Sequence, residues 1–357
     1  MTVAYVMEQG TSIRLEGERL VVQKKKNTYH TLHIYRLSQL VLYGNISLTP
    51  PVIAKLLREG IDTVFMSRGG RYQGRLQPLF SKNISLRCEQ FARMNDIEFC
   101  LNVAKSIVVG KLSNMRSLLM RIKRNRDDPA LAKGIEKIKS IAKRTREAED
   151  LESLRGFEGA GSSAYFSGLA RGFIGEGVSF EKRIRRPPTD PVNALLSLGY
   201  TLLFNTVMSA ASMVGFDPYL GTLHSVEYGR PSLALDLMEE WRPIIVDTVV
   251  MSAFNLKVLD LSDFEKHTTE EGVKDFEESN DESDEDLERQ GEGLPVRLTD
   301  NGFRKFVVQF ERKMNQKIKY GLTGQQLSYR DCIREQVRHF ARVVRGEDQN
   351  YRPMAVR

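Results

Sequence analysis

Alternation of apolar and polar positions dominates the start of the chain. In SIRLEGERLVVQ, Ile13, Leu15, Leu20 and Val22 recur at period 2 on either side of Gly17, which predicts two strands joined by a turn. Residues 31–48 continue the pattern. Thr49, Pro50 and Pro51 then open a short helix over VIAKLLRE that Gly60 ends, and IDTVFMS and RYQGRL return to strand across Gly69 and Gly70. Strand surfaces favour aromatics, so packing is the first expectation for Tyr29, Tyr35, Tyr43 and Tyr72, ahead of a wedge that stacks on the end of a duplex.

From about Ile84 the period lengthens to that of a helix. Ile97, Leu101, Ala104, Val108, Met115, Leu119 and Ile122 fall on one stripe, and Lys111, Arg116, Arg121, Lys123, Arg124 and Arg126 are read as the opposite, basic face. A second basic helix is expected over 130–149, followed by a Gly-rich stretch around Glu158, apolar helices over 191–214 and 244–258, and two amphipathic helices starting near Thr299 and Ser328. The fold class expected is α+β and multidomain: a small, mostly β domain over 1–82 and a larger all-α domain over 83–357. Within the second, 268–293 has almost no apolar residue and a dense acidic run, so it is expected to be an inserted loop unable to bury enough surface to order itself.

Composition narrows the class of protein. With 41% hydrophobic residues in 357, the chain has material for more than one core. No run of about 18 apolar residues stands out, and the N-terminus lacks the order of a signal peptide, so a cytoplasmic protein is expected. Cys88, Cys100 and Cys332 have neither the spacing of a zinc ribbon nor an even count, and are expected to be reduced core thiols. The net charge of +7 understates the basicity, because residues 270–292 hold twelve acids against Lys274 and Arg289. A body this basic points to a polyanionic partner, since neutralising phosphates releases condensed counterions.

Three distant segments carry metal-ligand chemistry: Glu158 in LRGFEGAGSSAYF, His224 in PYLGTLHSVEYG and Glu239 in PSLALDLMEEWRP. Asp236 precedes Glu239 by three residues, so on a helix the two carboxylates share a face. A mixed oxygen and imidazole set suits Mg²⁺ or Mn²⁺ better than a structural zinc. The residues alone leave open a structure-specific nuclease or a non-enzymatic DNA-binding scaffold.

At these positions the chain resembles the CRISPR-associated spacer-acquisition integrase, the larger of the two core CRISPR adaptation proteins. The resemblance runs through RGGRYQGRL, EGAGSSAYF, DPVNALLSLGYTLL, GTLH, SLALDLMEEWRP and LTDNGFRKF. It implies a prokaryotic, metal-dependent DNA endonuclease and integrase that joins the 3′-OH ends of short foreign duplexes to a CRISPR repeat by transesterification. It also implies a homodimer whose N-terminal β domain serves dimerisation and DNA contact, assembled with a small ferredoxin-like partner protein. Glu158, His224 and Glu239 match the family's metal ligands, Asp236 the neighbouring acid, and Tyr165 and Asn193 further motif positions. The acidic insertion departs from the common pattern.

Overall fold

The computed structural model describes residues 2–356 except 26, 69, 77–82, 125, 127, 185–186, 225–226 and 267–293. The expected acidic insertion and Gly69 therefore lie outside the described residues. The chain divides into two compact units, Met1–Phe80 and Ser81–Arg357.

In the first unit the alternation gives strands β1 (Thr2–Val6), β2 (Thr11–Glu16), β3 (Arg19–Lys24), β4 (Asn27–His33), β5 (Leu37–Tyr43), β6 (Ile46–Leu48), β7 (Asp62–Met66) and β8 (Tyr72–Leu76). Among the described residues they form two four-stranded sheets, ordered β1-β5-β7-β8 and β4-β3-β2-β6. The turn between β2 and β3 places Gly17 at φ +60°, a left-handed conformation that costs glycine little. Helix α1 (Pro50–Arg58) sets Val52 and Leu56, both fully buried, into the core with Ile13, Leu20 and Leu40. Each such side chain is worth about 1.5–3 kcal/mol relative to exposure. Thr49 gives α1 no side-chain cap, contrary to expectation; two prolines fix its first turn instead. Tyr43 is buried with its hydroxyl on the Arg68 carbonyl, whereas Tyr29 and Tyr35 are 55% and 68% exposed, Tyr35 packing on the surface with its ring 5.5 Å from that of His33.

The second unit is mostly helical: α2 (Ile84–Met94), α3 (Ile97–Arg124), α4 (Pro129–Thr145), α5 (Leu151–Ala170), α6 (Pro191–Val214), α7 (Ser232–Met238) and α8 (Thr248–Asn255), then helices Asp300–Met314 and Tyr329–Val344. It is not all-α as expected, because two short antiparallel pairs, Phe264–Lys266 with Val296–Leu298 and Lys317–Lys319 with Gln326–Ser328, lead into those last two helices. Short polar side chains open many of them. Asp128, Asp150, Asp190, Thr299 and Ser328 each accept a backbone N–H two or three residues on, a cap worth about 1 kcal/mol.

Several expectations change here. The stripe on α3 buries Ala104, Val108, Met115, Leu119 and Ile122 but leaves Ile97 79% exposed. Residues 243–247 form a π-helical turn before α8 rather than the start of a regular helix. Cys88 is exposed, so only Cys100 and Cys332 are core thiols. Contrary to the absence of a long apolar run, α6 is long and apolar enough to cross a membrane, with mean hydropathy 1.4; here 83% of that window is buried, which makes it a core helix.

Glycines set the approach of α5 to α3. A Cβ on Gly161 would lie 2.2 Å from Leu112 Cδ2, and one on Gly168 2.8 Å from Leu119 Cδ1. The Gly-rich stretch is thus the interior of a helix, and its missing side chains let the backbone of α5 close on α3.

Residues 351–356 are fastened to this core. Asn114 Nδ2 donates to the carbonyls of Glu240 and Met354, the Met354 N–H donates to Glu240 Oε2 at 2.9 Å, and the Tyr351 hydroxyl donates to Glu240 Oε1 at 3.0 Å. His339 is fully buried between Asp348 and the Arg352 N–H.

Burial pushes the Glu240 carboxyl up to about 8, against the lowering effect of the Met354 N–H and the Tyr351 hydroxyl. The folded chain then holds a proton that the unfolded chain loses near pH 4.3, so stability falls as pH rises from there through about 8. The slope from this group reaches about 1.4 kcal/mol per pH unit. Unfolding Glu240→Gln in denaturant between pH 6 and 8 should show that slope removed. An unchanged slope would place the proton elsewhere.

Candidate active site

Two carboxylates and a lysine meet where α3, α5 and the end of α7 come together. Glu158 projects from the middle of α5, and Glu239 opens the 3₁₀ turn Glu239–Trp241 that ends α7. Between them stands the ammonium of Lys111, from α3. It pairs with Glu158 Oε1 and lies 2.6 Å from Glu239 Oε2. The Lys111 and Glu239 side chains are each 5% exposed and that of Glu158 17%, so this is a nearly dry charge cluster.

Other donors complete each carboxylate. Ser162, one turn along α5, donates to Glu158 Oε1 at 3.0 Å, and Arg242 Nη1 donates to Glu239 Oε1 at 2.7 Å. Burial raises the Glu158 carboxyl, as does the charge of Glu239, yet Lys111 and Ser162 outweigh them and hold it below its usual range. Burial also raises Glu239, and Arg242, Lys111 and His224 together drive it strongly the other way. Both acids are therefore ionised at neutral pH.

His224 reaches this region on the loop after α6. Asp236, fully buried on α7, accepts from the N–H groups of Thr222, Leu223 and His224 at 2.5, 2.9 and 3.1 Å, and its Oδ1 lies 2.6 Å from His224 Nδ1. A Cβ on Gly221 would sit 2.6 Å from Asp236 Oδ2, so glycine is what lets the loop close on the carboxylate. With Nδ1–H donated to Asp236, the Nε2 lone pair is left for a ligand. Arg155, one turn before Glu158, ties the loop to α5 by donating Nε and Nη2 to the Leu223 carbonyl at 3.0 and 2.8 Å.

Tyr165 and Asn193 sit apart from this cluster. The Tyr165 hydroxyl, fully buried, donates to Asp247 Oδ2 at 2.5 Å; Tyr200 donates to Oδ1 at 2.6 Å, and the Tyr200 ring carries the Arg242 guanidinium 4.1 Å from its centroid. Tyr165 is thus linked to Glu239 indirectly, through Asp247, Tyr200 and Arg242. Asn193 bonds Asp190, Arg183, Ile184 and the Lys182 carbonyl, pinning the segment before α6, and none of these partners belongs to the carboxylate cluster.

Lys111 and Arg242 are the residues the sequence reading missed. Lys111, assigned to an outer basic face, is buried. The signal was present: Val108, Lys111 and Met115 follow helical spacing, so Lys111 fills the gap in the apolar stripe.

Among the described residues no three His, Cys, Asp or Glu side chains form a ready metal cage. The donors themselves fit a hard divalent cation: two ionised carboxylates and an imidazole with Nε2 free. Glu239 Oε2 is buried without a directed hydrogen bond; its contact with Lys111 is ionic.

The matching family model, described as CRISPR associated protein Cas1, covers residues 4–280. The CRISPR-associated endonuclease Cas1 3 of Thermus thermophilus is 35% identical over 357 residues, 99% of this chain and 97% of its own. Among solved structures, a casposase bound to integration product matches with TM-score 0.80 at 20% identity, over 100% of this chain and 95% of its own. A chain of a Cas6-RT-Cas1–Cas2 complex matches with TM-score 0.79 at 23% identity, over 99% of this chain and 36% of its own. At such identities the structural matches establish the fold.

Proposed function

This chain belongs to the Cas1 family of CRISPR-associated proteins, and from that premise we propose that it is a metal-dependent DNA endonuclease and integrase of CRISPR adaptation. In this reading it joins the 3′-OH ends of short duplexes to a repeat by transesterification, in the cytoplasm of a prokaryote. The observation that carries the reading is the buried pair of ionised carboxylates, Glu158 and Glu239, with the Asp236-oriented His224 on the adjoining loop.

Glu158, Glu239 and His224 Nε2 would hold the Mg²⁺ or Mn²⁺ ion. Bound there, the ion supplies charge neutralisation at a phosphodiester and alignment of the attacking hydroxyl. The chain's own residues prepare that setting. Lys111 and Arg242 keep both glutamates ionised, and Asp236 fixes the imidazole tautomer and the loop that carries it. Tyr165, through Asp247 and Tyr200, supports Arg242 from behind.

We assign the 1–82 region to dimerisation and DNA contact, with Tyr29 and Tyr35 exposed for stacking, and 83–357 to catalysis. A Cas partner protein is supported by the Cas1–Cas2 complex in which a similar chain is found; the homodimer and the small ferredoxin-like fold of that partner rest on the family resemblance.

One assay separates the readings: the protein, with and without that partner, is given a labelled duplex with free 3′-OH ends, a supercoiled repeat-bearing plasmid and Mn²⁺. Joined strands are expected. Cleavage without joining would favour a structure-specific nuclease, and binding with neither would favour a scaffold.

A further inference from the structure

Helices α3 and α4 lie side by side, and their outer edges enclose a groove of about 260 Å³. Val109, Ser113 and Arg116 line it from α3, and Lys139 and Lys143 from α4 with Arg146, the residue that caps its C-terminus. Each trio is spaced i, i+4, i+7, so each is one stripe on one helix face. Seven residues of helix span about 10 Å, the length of about three nucleotide steps at about 3.4 Å each.

The charge in this groove is unbalanced. Four of its lining residues are cations and none is acidic. Lys139 pairs with Glu136 at 3.5 Å, but both side chains are more than 60% exposed, a contact that water screens. Among the described residues, no ion pair is formed by Arg116, Lys143 or Arg146, and Arg116 Nε is buried without a hydrogen-bond partner. A solvated basic face accounts for exposed lysines. It does not account for a concave row of converging cations with a buried guanidinium nitrogen left unpaired.

We propose that the α3–α4 groove binds the sugar–phosphate backbone of DNA, holding a segment that flanks the reacting end; this rests on the DNA-directed function proposed above. The groove is distinct from the carboxylate cluster. Lys111 lies about 200° around α3 from Val109, so the two sites use opposite faces of one helix, about one helix diameter, or 10 Å, apart. Leu112 joins them mechanically, lining the groove while packing against Gly161, one turn beyond Glu158. Backbone contacts of this kind set register and affinity without reading sequence.

The test is the triple variant Lys139→Glu, Lys143→Glu, Arg146→Glu, whose three side chains are exposed, so that folding is expected to survive. Binding of a fluorescent duplex is measured by anisotropy across a salt series, with thermal unfolding and strand cleavage at saturating DNA alongside. Affinity is expected to fall at least about tenfold and the salt slope by about 2 to 3, close to one for each phosphate no longer neutralised. Unfolding temperature and cleavage at saturation should stay as in the wild type. Equal affinity and slope in the two proteins would overturn the groove. A wild type that fails to bind or cleave DNA would instead overturn the proposed function.

Discussion

Lys111→Met is expected to destabilise the metal-free protein by about 3–5 kcal/mol, the scale of removing one partner from a buried ion pair. The ammonium neutralises two carboxylates that are otherwise driven together by the packing of α3, α5 and the end of α7. Methionine keeps the unbranched stem out to Cε and removes the charged nitrogen. Glu239 retains Arg242, but among the described residues Glu158 keeps only the Ser162 hydroxyl, so most of the loss should come from Glu158. A divalent ion entering between the glutamates meets this same ammonium. What Lys111 adds to the metal-free state is therefore subtracted from metal affinity. The variant should be less stable than the wild type in chelator and should gain more unfolding temperature on adding Mn²⁺. Equal stability in chelator would mean that Lys111 is not the counter-ion of the site.

Glu158→Ala and Glu239→Ala should each reduce strand cleavage and joining by at least about 10²–10³-fold, as expected for loss of groups that organise transition-state charge. Duplex affinity should stay within about threefold, because the groove proposed to contact phosphate lies on the other face of α3. Each alanine also leaves cations short of a partner: Lys111 in the first, Lys111 and Arg242 in the second. The Glu→Gln forms, which preserve packing, separate loss of chemistry from loss of fold. Activity near the wild-type level in a folded Gln variant would remove that residue from the site.

Much of this was readable in the sequence, and the failures have physical causes. Period-2 alternation located β2 and β3, where Ile13, Leu20 and Val22 are buried, whereas β5, buried at nearly every position, shows little alternation; N-cap residues located Asp300–Met314 and Tyr329–Val344. The Gly-rich segment around Glu158 was assigned no element from sequence, because glycine weakens a helix locally. Here tertiary packing overrides propensity, with Gly161 and Gly168 admitting Leu112 and Leu119. Lys111 misled because a cation among cations reads as solvated, although its spacing from Val108 and Met115 assigned it to the buried stripe. Arg242 and Asp247 carried no local signal, since their roles depend on Tyr165 and Tyr200 from other helices. The ligand types in Glu158, His224 and Glu239 were legible; the counter-ion between two of them required three dimensions.

In the proposed function Glu158, His224 and Glu239 act on one ion. Calorimetric titration with Mn²⁺ of the wild type and of Glu158→Ala, His224→Ala and Glu239→Ala tests this directly, without DNA. The expected result is one Mn²⁺ bound per wild-type chain, with affinity at least about tenfold weaker in each variant. Unchanged Mn²⁺ affinity in the three folded variants would contradict it.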